Sequence, residues 1–300
     1  SRVSHYPVTM QRRRFITAVG AAGATSLAGC LNTDEPQPEI ASIYSEGTTL
    51  YAEINNPDQA DDVVIEPGSG GESSTVSVSS ENPVAAYELG DPGTIGTKDQ
   101  KFSTGTEFKV WIFVNGQGEV TSKTWTYDPI ATVADIHTSK SVGYDPADYD
   151  QKATPVIEVK NVGSGPMRLQ ELVILNVNDP VQLAGSGSDT TAFARTALAR
   201  TPGESGVTAV DTHDGGGFFL PEGFSAFYAL DGFFTHSGGE PEQTESVEQR
   251  FDIDLRWSSD KRQYSVVAEL GGGIIKSGGK EEYRFGTYEI TEIDYSSPLK

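Results

Sequence analysis

The chain has one cysteine, Cys30, in 300 residues. No internal disulfide framework can form, so stability must come from buried cores. Methionine is nearly as scarce, and Met167 is the only one beyond residue 30. A blue-copper electron carrier needs a Cys thiolate between histidines, usually with a Met. No histidine cluster accompanies Cys30, so that chemistry is excluded. Basic residues are few, 22 Lys and Arg against 43 Asp and Glu, for a net charge of −21. Nucleic-acid binding needs Lys and Arg to neutralise phosphates, and this balance disfavours it. The apolar stretch Phe15–Gly29 is too short for a membrane span. Fifteen residues at about 1.5 Å each reach about 22 Å, against a hydrocarbon core of about 30 Å. Strand and helix patterns do not alternate regularly, which argues against a parallel α/β domain.

What is present at the front of the chain reads as an address. Arg12, Arg13 and Arg14 form a basic region ahead of Phe15–Gly29, and Cys30 closes the segment. Short length, modest hydrophobicity and basic flank together predict an export signal. The string Arg12-Arg13-Arg14-Phe15-Ile16-Thr17 resembles the twin-arginine export pattern, with Arg12, Arg13 and Phe15 carrying the likeness. Gln11 and Thr17 depart from the residues preferred at the flanks of that pattern. Leu27-Ala28-Gly29-Cys30 resembles a lipobox, which implies a lipid on the Cys30 thiol and cleavage before it. About 0.8 kcal/mol per buried methylene makes two acyl chains a stable anchor. The combination resembles secreted lipoproteins of halophilic archaea. It implies lipid anchoring on the extracytoplasmic face of the membrane and says nothing about activity. Ser1–Thr9 precede Met10, a plausible initiator, and read as an upstream extension of the reading frame.

Beyond residue 30 the charge deepens. Without the four arginines of the first 30 residues, 18 basic residues face 43 acidic ones, a charge of −25. The acids are dispersed rather than gathered in a tail, and β-branched and aromatic residues are too plentiful for disorder. A folded protein suited to molar salt is the expectation, because a Debye length of about 3 Å there screens the self-repulsion.

The cargo reads as all-β: two immunoglobulin-like antiparallel sandwiches after the signal and a tether. Residues 31–38 are polar and Pro-bearing and read as that tether. Residues 39–128 form the first sandwich. Its clearest unit is a hairpin in which Phe108, Val110, Ile112 and Val114 alternate, Asn115-Gly116-Gln117-Gly118 turns, and Trp125 and Tyr127 share a face on the return. Asp128-Pro129 marks the junction. Residues 129–300 form a second sandwich with long loops. In it Phe251, Ile253, Leu255 and Trp257 alternate, as do Tyr264, Val266, Ala268 and Leu270 until Gly271-Gly272-Gly273 breaks the pattern. One helix is predicted over Thr191–Arg200, with Phe193, Ala194, Ala197 and Leu198 on one face and Pro202-Gly203 as its stop. The stretch Pro155–Pro166, with its Asn161-Val162-Gly163-Ser164-Gly165 turn, and the later Leu220–Tyr228, with Pro221-Glu222-Gly223, resemble immunoglobulin-like repeats in prokaryotic surface proteins, although any two turns of a β-sandwich look similar.

Candidate chemistry is thin. Asp211, His213 and Asp214, with His236 downstream, could ligate a metal, yet dispersed histidines make neither a zinc tetrad nor a triad. Asp145, Asp148 and Asp150 lack the central Gly and terminal Glu of a helix-loop-helix calcium site. No Gly-x-Ser-x-Gly elbow or phosphate loop is present. Phe218, Phe219, Phe224, Phe227, Phe233 and Phe234 read either as core or as an aromatic contact patch. The expectation is a lipid-anchored surface protein without catalytic activity, metal or cofactor. Its partners would be the membrane through Cys30 and a surface protein or glycan. The alternative is an accessory or solute-capturing lipoprotein of a transporter or enzyme complex.

Overall fold

A computed structural model describes residues 36–68, 70–145, 154–175, 192–193, 196–199, 208–210, 217–230, 235–236, 247–257, 260–277 and 280–293. Residues Gln37–Lys300 belong to one compact unit. The fold is all-β, built of antiparallel sheets packed face to face.

The first sandwich contains β1 (Glu39–Glu46), β2 (Thr49–Asn55), β3 (Asp62–Pro67), β4 (Ser74–Val76), β5 (Val84–Glu88), β6 (Thr106–Val114) and β7 (Gly118–Tyr127). One sheet has the order β1-β2-β5 and the other β4-β3-β6-β7. Alternation explains the layers. Leu50, Ala52 and Ile54 of β2 point inward, as do Val63 and Ile65 of β3 and Phe108, Val110 and Ile112 of β6, and they meet in one core. Burying such side chains contributes about 1.5–3 kcal/mol each. Phe102, Phe108 and Trp125 add edge-on ring contacts.

The second sandwich follows with β8 (Ala131–Thr138), a short helix α1 (Ser139–Val142), β9 (Pro155–Asn161) and β10 (Met167–Leu175). Then come β11 (Ala192–Phe193), β12 (Thr196–Ala199), β13 (Thr208–Val210), β14 (Phe218–Leu220) and β15 (Ser225–Ala229). The series closes with β16 (Thr235–His236), β17 (Val247–Trp257), β18 (Asp260–Ser277) and β19 (Lys280–Ile293). One sheet runs β13-β12-β15-β9-β8, the other β11-β10-β17-β18-β19-β16, with β14 also paired to β10. Ile157, Val159 and Tyr228 of the first sheet face Leu169, Ile253, Leu255 and Val266 of the second.

Both halves share a Greek-key order. In chain order the first, second and fifth strands of the first sandwich pair with one another, and the third, sixth and seventh do likewise. In the second sandwich β8, β9 and β15 take the first set of places, and β10, β17 and β18 the second. This is the arrangement of the immunoglobulin class. The fourth strand also matches, since β4 pairs with β3 and β11 with β10; the second sandwich adds β12 and β13 beside β15.

Two expectations change. The helix over Thr191–Arg200 is not formed. Ala192–Phe193 and Thr196–Ala199 are strands, while Thr191, Ala194 and Arg200 lie outside the described residues. Ala197, Leu198 and Ala199 pair with Tyr228, Phe227 and Ala226 on one side and with β13 on the other. Two ladders outweigh the modest helix preference of Ala and Leu. An α-helix does form among the described residues at α1, where Thr138 accepts from Ser141 N and Gly143 ends the turn at φ 72°. The second change concerns Gly271–Gly273. The glycines do not end β18, which continues to Ser277 across a register irregularity between Gly271 and Ile275.

Three polar tips tie β8 and the segment before it to the opposite sheet. Trp257 Nε1 donates to Pro129 O at 3.0 Å, Tyr264 OH to Thr132 Oγ1 at 3.1 Å, and Tyr288 OH to Asp135 Oδ1.

Candidate functional site

The export and anchoring residues Arg12, Arg13, Phe15, Leu27, Ala28, Gly29 and Cys30 lie outside the described residues, as do Asp148, Asp150, Asp211, His213 and Asp214. Asp145 is described, and the backbone of His236 pairs with Glu281. Among the described residues no group of three His, Cys, Asp or Glu is set to hold a metal ion. No described helix is long and apolar enough to cross a membrane.

The Phe-rich segment divides between environments. Phe218 and Phe224 pack partly buried against the main core of the second sandwich. Phe227 faces the other way and is buried with Val142, Val156 and Ala229 beneath α1. Phe219 is half-buried, and Phe233 and Phe234 lie outside the described residues.

Next to Phe227, on the outer face of β8, β9 and β15, is a polar row. His137 Nε2 lies 2.7 Å from Glu158 Oε2, and Ser225 Oγ donates to Glu158 Oε1 at 2.6 Å. This order does not suit nucleophilic catalysis. A serine is activated by a base that is oriented in turn by a carboxylate. Here the carboxylate stands between serine and imidazole, so His137 cannot take the Ser225 proton directly.

A set of specific polar contacts lies where the two sandwiches meet. Asp128 and Ser164 exchange backbone hydrogen bonds at 2.9 Å, which makes the connector itself a β-bridge. Ser164 Oγ donates to Thr126 O at 2.5 Å, and Tyr127 OH to Pro166 O at 2.6 Å. Glycine is required twice. A Cβ at Gly163 would overlap the Asp128 carbonyl, and Gly165, at φ 92°, lies directly beneath the Tyr127 ring.

Asn161 organises the turn behind this contact. It is fully buried. Its Nδ2 donates to Gly165 O at 2.8 Å and Leu220 O at 3.3 Å, and its Oδ1 accepts from Gly163 N at 3.2 Å. Its backbone pairs with Gly223 N and Phe224 O. Asn161 thereby fixes Asn161–Pro166 to Pro221–Gly223, two turns over fifty residues apart in sequence.

Two charged groups reach from this frame to the first sandwich. Glu222 Oε2 accepts from Gly165 N at 2.9 Å, Ser45 Oγ at 2.7 Å and Ser45 N at 3.3 Å. Arg168 donates from Nε to Ile95 O at 2.9 Å, from one terminal nitrogen to Pro92 O at 2.7 Å and from the other to Gly217 O at 3.0 Å. Gln170 Nε2 adds a bond to Gly96 O at 3.2 Å. Burial pushes the Tyr127 phenol well above its usual range, against a smaller opposing effect of its hydrogen bond with Gln100.

Both turns are legible in the sequence as Gly- and Pro-bearing turns. Their meeting is not, and the roles of Asn161, Arg168 and Glu222 have no sequence signal beyond membership of those turns and of β10. No family model matches this chain, and no curated protein matches it.

Proposed function

We propose that this chain is a lipid-anchored surface protein of non-catalytic, structural or binding role, exported through its twin-arginine-like segment and held by a lipid on Cys30. The observation that carries the reading is the joint. A two-sandwich module that presents a surface to an envelope protein or glycan gains from a fixed angle between its halves, because less freedom is lost on binding. The contacts of Tyr127, Asn161, Arg168 and Glu222 serve that need. The His137–Glu158–Ser225 row is in the wrong order for acyl transfer, which supports the same reading. The dispersed acidic surface suits a protein working in concentrated salt, and it leaves attachment to the lipid rather than to charge.

Membrane fractionation of cells expressing Cys30→Ser is the direct test. The expected outcome is release of the protein from membranes or accumulation of unprocessed precursor. An unchanged, processed, membrane-bound product would overturn anchoring. Replacing Arg12 and Arg13 with Lys should retain precursor in the cytoplasm.

A further inference from the structure

We propose that the Glu222 carboxylate is the latch that sets the angle between the two sandwiches, and that releasing it converts the rigid joint into a hinge. This is independent of how the chain is anchored.

Three observations lead there. First, one oxygen, Oε2, collects all three donors: two from Ser45 on β1 of the first sandwich and one from Gly165 in the second. Hydrogen bonds to a charged acceptor are the stronger kind, and this one is shared between the halves. Among the described residues no ion pair competes for Glu222. Second, the latch is preorganised. Pro221 restricts φ ahead of Glu222, Gly223 follows at φ 76°, and Phe224 N closes the turn onto Pro221 O at 3.2 Å. Gly223 N is held in turn by Asn161 O at 3.1 Å. The carboxylate therefore loses little freedom when it engages Ser45. Third, the attachments differ in kind. The connector bridge at Asp128 and Ser164 is local and can act as a pivot. Arg168 grips the loop carrying Pro92 and Ile95 through backbone carbonyls. Glu222 reaches a different strand, β1. Two points fixed off the pivot determine an angle where one leaves a rotation open.

The experiment measures the angle in the full chain. In a Cys30→Ser background, Glu81→Cys and Glu289→Cys place spin labels on an exposed site of each sandwich. Without further change, the distance distribution should be single and narrow. Glu222→Ala should turn it into a broad or multiply peaked distribution, because the charged hydrogen bonds that hold the angle are lost. Ser45→Ala removes only the hydroxyl donor and should broaden it less. Adding Ser45→Ala to Glu222→Ala should have no further effect, since both break one interaction. An unchanged narrow distribution in Glu222→Ala overturns the proposal. If Glu222→Ala does not fold, Ser45→Ala alone decides it, and an unchanged distribution there overturns it.

Discussion

Tyr127 ends the last strand of the first sandwich, and its hydroxyl reaches the second at Pro166 O. Tyr228 sits in the core of the second sandwich. Burial raises the pKa of both phenols above the ordinary tyrosine value of about 10. In the unfolded chain both would ionise near that value, while in the folded chain both stay protonated. Their contribution to stability is thus complete below about pH 10 and is lost as pH rises beyond it. Urea midpoints measured from pH 8 to pH 11.5 should fall steeply above pH 10. Replacing Tyr127 with Phe should flatten the fall. It should also lower stability at pH 8 by about 1–3 kcal/mol, because Pro166 O loses its donor.

Edges explain much of what elements do in this fold. At the rim of the first sandwich β1 bulges between Ile40 and Ser42. Lys123 of β7 crosses from the opposite sheet and donates to Ile40 O, with Ala41 O at 3.5 Å. Lys123→Met should keep the packing of the side-chain stem and lose the cap. Amide exchange in β1 should quicken about fivefold, corresponding to about 1 kcal/mol, with β6 unaffected. Strands such as β6 and β17 are legible in the sequence because one buried face imposes strict alternation, as in Phe108-x-Val110-x-Ile112 and Phe251-x-Ile253-x-Leu255. Thr196–Ala199 is not, because short runs of Ala, Leu and Thr fit either period and only pairing with β15 decides. Gly271–Gly273 misleads for a related reason: a glycine run signals a stop locally, yet β19 alongside carries β18 through it. The joint is the least legible feature. Asn161 and Glu222 are ordinary turn residues until distant turns are brought together.

At the scale of the whole molecule, charge dominates. Beyond residue 30 the chain carries −25, and its acids are spread along the strands and loops. Their mutual repulsion opposes compaction, and salt relieves it as the Debye length shrinks from about 10 Å at 0.1 M to about 3 Å at 1 M. The melting temperature followed by circular dichroism should rise by at least about 5 °C between 0.1 M and 2 M KCl, a shift worth about 2–3 kcal/mol in a chain of this size. A flat or falling curve would remove the salt-adapted reading.

The bridge between Asp128 and Ser164 carries a consequence for ancestry and engineering. The connector is itself held by a β-bridge, and the turn between β9 and β10 of one sandwich is cut to fit the last tyrosine of the other. Neither half is an interchangeable bead. A transplanted first sandwich would need its own counterparts of Tyr127 and Ser45, and a transplanted second one its own Gly163, Gly165 and Glu222. The pair is therefore the unit that duplication or design would have to copy.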